Sequence, residues 1–155
     1  MRECLVWTKI SSANISLRLK KQGIFFSDAA PGVFTNRETL YYLLALLNTK
    51  YANEIIKLIN PTLNFVPGAV SSVPVKKDEK NKGKIIEIAE GNVQLSERDW
   101  DSFETSWDFK KHPLLRNVST ISEAFAQWQV ECDDRFNRLK ANEEELNRIF
   151  IDIYG

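Results

Sequence analysis

Two cysteines, one histidine, one methionine and six dispersed glycines are all this 155-residue sequence offers of the residue types on which most metal, disulfide and nucleotide sites depend. Cys4 and Cys132 are far apart and form no CxxC pair, so a disulfide framework and a Cys/His zinc site both lack ligands. The free thiols suit a reducing cytosol. No apolar run reaches the roughly 18 to 20 residues a membrane span needs, and the opening MRECLVWTKI lacks the apolar core of a secretory signal. The expectation is a cytoplasmic protein with no membrane partner.

Net charge is absent too, but by cancellation: 21 Lys plus Arg face 21 Asp plus Glu. Residues 1–84 hold 13 basic and 6 acidic side chains, a balance of +7, and residues 85–155 hold 8 and 15, a balance of −7. Either the first half faces a polyanion, because fields follow local charge, or the two halves attract one another in the fold. A composition of 43% hydrophobic and 27% charged residues suits one globular domain or two small ones.

The first 36 residues read as strands. Ile15, Leu17 and Leu19 alternate with Ser16, Arg18 and Lys20, and the turn at Lys20–Gly23 predicts a hairpin into Ile24, Phe25 and Phe26. A short strand is expected at Val33–Thr35. Asn36 is a candidate N-cap for a helix over about 37–49, and Tyr51, Ile55, Ile56 and Ile59 predict a second one that Asn60 and Pro61 end. Pro61–Val75 reads as irregular, and KKDEKNKGK at 76–84 as an exposed linker. A helix over about 83–90 should end near Gly91, with a short one after Ser96. The loop at 104–118 is expected to be tied to the core by aromatics. A capping box at Thr120 and Glu123 then opens a long helix whose apolar seam, Ile121 to Ile153, must be covered by another helix or another chain. The fold class is mixed α/β: a small twisted sheet with packed helices over 1–75, the linker, and a helical extension over 85–155 that ends in the long helix.

Catalytic chemistry is sparse. Adenine amino-methyltransferases hold the target amine with a loop of Asn, Asp or Ser followed by two prolines and an aromatic ring. Asn60-Pro61-Thr62-Leu63 lacks the second proline and the aromatic, so a helix stop is its better explanation. His112 lacks a positioned nucleophile and an orienting partner, and Asp99, Asp101, Glu104 and Asp108 lack the calcium-loop spacing. No catalytic or metal-binding residue is assigned. Trp100, Phe103, Trp107 and Phe109 read as anchors to the core. For nucleic acid, Lys9, Ser12, Asn14, Arg18, Lys20, Lys21, Asn36 and Arg37 flank the proposed strands and turns. Cations there could hold phosphates while Asn, Ser or Arg read base edges. An ordinary charged sheet face accounts for them equally well. Lys76, Lys77, Lys80, Lys82 and Lys84 could add contacts that weaken with salt.

Three separated strings resemble one family. LLALLNTKYANEIIKLINPTLNFVPGAVSSVPV (43–75), RDWDSFETSWDFKKHPLL (98–115) and NEEELNRIFIDIYG (142–155) are similar, in that order, to stretches of BREX phage-defence adenine-specific DNA methyltransferases of the PglX type. The resemblance implies a target-recognition fragment that binds double-stranded DNA and lies downstream of a catalytic domain on the same parent chain. In that case Met1 would be the start of an excised piece or of a truncated reading frame, and Gly155 falls where the family's chain would continue. S-adenosylmethionine would belong to the parent enzyme, with no cofactor in this fragment. The alternative is a helical interaction module that joins a second copy or other BREX components.

Overall fold

The computed structural model describes residues 2–23 and 27–155. Among these described residues the chain is mixed α/β, with a three-stranded antiparallel sheet and five helices, the last one long, as its composition and periodicity led us to expect. It divides into two compact units, residues 1–89 with 145–155, and residues 90–144. No helix among the described residues is long and apolar enough to cross a membrane.

In the first unit, β1 (Cys4–Trp7) is central, between β2 (Leu17–Lys20) and β3 (Gly32–Val33). The expected alternation holds into the start of β2, where Ile15 and Leu17 are buried while Ser16 and Arg18 are exposed, and fades at its end, where Leu19 and Lys20 are both half-buried. Its partner is β1, in the register Cys4 to Lys20, Leu5 to Leu19, Val6 to Arg18 and Trp7 to Leu17. The hairpin into Ile24–Phe26 lies outside the described residues.

Helix α1 (Arg37–Leu47) begins where Asn36 Oδ1 accepts the Thr39 N–H at 2.9 Å, the N-cap anticipated above. Seven of its eleven residues are buried, which requires cover on more than one side. It contacts β1 and β2 on one side. Another side meets the end of α5 (Ile121–Tyr154), where Phe150 stands edge-on to Tyr42 with ring centroids 5.6 Å apart. Helix α2 (Lys50–Ile59) follows at once, capped by Thr49, whose side chain accepts from Ala52 N at 3.2 Å. The core of this unit comprises Leu5, Leu40, Leu46, Ile56, Ile85 and Phe150, each at most 1% exposed. Burying such a side chain stabilises the fold by about 1.5–3 kcal/mol.

Two expectations about the helices need correction. The stretch read as irregular contains a short helix, α3 (Pro67–Ser71), because proline at the first helical position supplies a preset φ and gives up only an N–H that would be unpaired anyway. Gly91 does not stop a helix: α4 (Lys82–Trp100) runs through it and absorbs the short element expected after Ser96. An interior glycine costs about 1 kcal/mol relative to alanine, which a 19-residue helix with Ile85 and Ala89 buried can bear.

The second unit contains the later part of α4, the 101–120 connection and most of α5. Antiparallel pairing of the two helices follows from Asn142 Nδ2 donating to Asn92 Oδ1 at 2.7 Å and Arg135 Nη2 lying 3.3 Å from Asp99. At the start of α5, Glu123 N donates to Thr120 Oγ1 at 3.2 Å, one half of the expected capping box. The other half is displaced by one residue, since the Glu123 carboxylate accepts from Ser119 N rather than Thr120 N.

Candidate nucleic-acid interface

Residues directly opposite each other in an antiparallel pair point to the same side. Leu5, Trp7, Leu17 and Leu19 therefore share the inner face, and Cys4, Val6, Arg18 and Lys20 the outer one. Arg18 is exposed there and Lys20 is half-buried. Cys4, beside Lys20, is 2% exposed, and burial pushes its thiol above the ordinary range while the lysine charge opposes the rise. A buried thiol of this kind is a packing residue, not a nucleophile.

The topology separates the other candidates. Lys9, Ser12 and Asn14 occupy the connection from Trp7 to Leu17, at one end of the sheet. Lys20 and Lys21 end β2 at the opposite end. Asn36 and Arg37 follow β3 toward that same end, since β3 runs antiparallel to β1 in the register Val6 to Gly32 and Leu5 to Val33. Four residues of strand place the two groups about 13 Å apart, with Arg18 between them. They form two clusters joined by one arginine, rather than one patch.

Not every candidate side chain is available. Lys9 Nζ is 2.6 Å from Asp28 Oδ2, and Asn36 uses its side-chain oxygen as the α1 cap. Arg37 lies over the Tyr41 ring, 5.0 Å from the centroid. Ser12 and Asn14 are exposed. Of the lysines at 76–84, Lys76 Nζ donates to the Ile153 carbonyl at 2.6 Å, Lys82 pairs with Glu38, and Lys84 pairs with Glu145. The Glu38 hydrogen bond raises the Lys82 pKa, and the Lys84 hydrogen bond lowers that of Glu145.

Sequence reasoning missed the residues that hold this surface in place. Segment 9–11 is paired with 63–65: Ser11 N donates to Leu63 O at 3.0 Å and Phe65 N to Lys9 O at 2.6 Å. The buried Trp7 indole donates to Phe65 O at 2.8 Å. Asn60 turns the chain into that segment, its amide donating to Asn64 O at 2.7 Å and its oxygen accepting from Thr62 Oγ1 at 2.8 Å. The helix-stop reading of Asn60 thus has a geometric basis. Only the run of polar turn residues from Asn60 to Asn64 hinted at it.

The residues present do not fit a nucleoside cofactor such as S-adenosylmethionine. Among the described residues the sheet is antiparallel, with no parallel strand leading through a glycine-rich turn into a helix N-terminus.

No family model matches the sequence. Over nearly its whole length, however, the chain is related to adenine-specific methyltransferases. It is 42% identical, across 99% of its residues, to the adenine-specific methyltransferase PglX of Lacticaseibacillus casei (strain Zhang). To the adenine-specific methyltransferase BrxX of Escherichia coli O9:H4 (strain HS) it is 32% identical across 96%. The chain spans only 13% and 12% of the length of these curated relatives.

Proposed function

We propose that this chain is the DNA-gripping, sequence-reading part of a site-specific adenine DNA methyltransferase of a BREX phage-defence system. A catalytic domain outside this sequence uses S-adenosylmethionine to methylate an adenine flipped from the duplex. The observation that carries the reading is the relation of nearly every residue to enzymes named for adenine methylation. Charge supports it: the unit 1–89 with 145–155 has 14 basic and 9 acidic side chains, an excess of +5. Arg18 and Lys20 on the outer face of β2 are the central phosphate or base contacts. Lys9, Ser12 and Asn14 flank them at one end, Lys21, Asn36 and Arg37 at the other. Partners are duplex DNA and the catalytic part of the parent.

Fluorescence anisotropy of the 155-residue chain with a labelled duplex, titrated at several salt concentrations, tests this. Log affinity should fall linearly with log salt. Replacing Arg18 and Lys20 with alanine should lower affinity severalfold and make the slope shallower by about one for each phosphate that is no longer neutralised. Salt-independent binding, or binding indifferent to both substitutions, would overturn the proposal.

A further inference from the structure

We propose that a groove in the 90–144 unit is a docking site for a cationic amphipathic helix supplied by another polypeptide chain. The first reason is burial. In this 55-residue unit only Ser106 and Ala124 are buried. Units this small rarely close a sufficient core unaided, because the fraction of surface removed from water falls with size. Trp100, Phe103, Ile121, Phe125 and Phe136 meanwhile stay between 43% and 77% exposed. The seam of α5 is thus covered at its end, where Leu146, Phe150 and Ile153 are buried, and largely open along its first half.

The second reason is shape. Trp100 of α4, Phe103 of the connection, and Cys132, Phe136 and Leu139 of α5 line one groove of about 700 Å³. Steps of four and three along α5 carry it over about 10 Å, the length of two helical turns. An incoming helix with apolar side chains at i, i+3 or i+4, and i+7 has the matching spacing.

Charge decides the chemistry of the flanks. The unit holds 12 acidic and 7 basic side chains, and Asp99 and Glu104 stand in the groove wall. Arg135, also in the wall, is already matched to Asp99 at 3.3 Å. A partner carrying Lys or Arg beside its apolar stripe meets opposite charge, whereas an anionic segment meets like charge. This surface is distinct from the outer face of β2.

The probe is a synthetic amphipathic leucine–lysine helix, titrated into the full 155-residue chain with tryptophan fluorescence as the readout. A peptide of the same composition with its leucines scattered, and a leucine–glutamate amphipath, serve as comparisons. The amphipathic cationic peptide should bind at least about tenfold more tightly than either. Phe136→Ser should weaken it by a similar factor, with Trp100→Ser as a second variant; both side chains are more than half exposed, so the fold should survive. Arg18→Ala should leave this binding unchanged. Equal binding of the scattered peptide, or binding indifferent to both groove variants, would refute the proposal. So would self-association in sedimentation that Phe136→Ser abolishes, because the occupant would then be a second copy.

Discussion

Asn48 and Leu17 exchange two hydrogen bonds, Leu17 N donating to Asn48 Oδ1 at 2.8 Å and Asn48 Nδ2 donating to Leu17 O at 3.1 Å. A side-chain amide at the end of α1 thereby imitates a neighbouring strand for the first residue of β2. Asn48→Ala should lower unfolding free energy by about 1–2 kcal/mol, since two backbone groups lose their partner. Asn48→Asp should also destabilise, because a carboxylate cannot donate to Leu17 O. Urea midpoints of the two variants check both statements.

Thr49 works beside it. Its hydroxyl donates to Leu46 O at 2.6 Å and accepts from Ala52 N at 3.2 Å, closing one helix while opening the next. Thr49→Ala should cost about 1–2 kcal/mol, and Thr49→Ser, which keeps the oxygen, distinctly less. A thermal melt of each variant is sufficient.

The two halves of the α5 seam should respond very unequally to truncation. Phe150 is fully buried against Tyr42, so Phe150→Ala should cost about 3–5 kcal/mol. Phe136 is 66% exposed, and Phe136→Ala should change stability by less than about 0.5 kcal/mol. Similar destabilisation at both positions would mean that the open stretch is covered in solution.

Arg116 grips Glu131 with both terminal nitrogens, at 2.7 and 3.1 Å. That hydrogen bonding holds the Glu131 carboxyl below the usual glutamate range. A depressed native pKa contributes stability that is fully present above about pH 4.3, the unperturbed value, and is lost as pH falls through the native one. The difference in melting temperature between wild type and Glu131→Gln should accordingly be largest near neutrality and shrink in acid. Added salt should shrink it as well, the Glu131 side chain being half exposed.

What could be read from residues alone was what depends on near neighbours in the chain. Asn36, Thr120 and the alternation from Ile15 to Lys20 each announce a local geometry, and the structure has it. Pro67 and Gly91 misled because the same residue type both opens and interrupts helices, and only the surrounding packing decides which. The aromatic loop misled differently: Trp107 is fully exposed and Trp100 mostly so, not anchored in a core. Anchoring requires a nearby core, and the short unit that carries them has almost none. Trp128 of α5, in ring contact with Phe103, His112 and Phe125, serves the connection as an aromatic anchor. The division of the candidates between the two ends of the sheet was equally invisible, because it follows from which strands pair and in what register, which no local pattern encodes.

The backbone N–H of Lys50 is held by Asn147, 97 positions later, and Tyr51 stacks on Tyr154 at 4.2 Å. During synthesis, at about 5–20 residues per second, the ribosome must therefore deliver some 65 further residues after Ala89 before this core can close. For several seconds the nascent chain displays the Tyr42 side of α1 without its lid, which makes the final turns of α5 the step that commits the amino-terminal half to its native state.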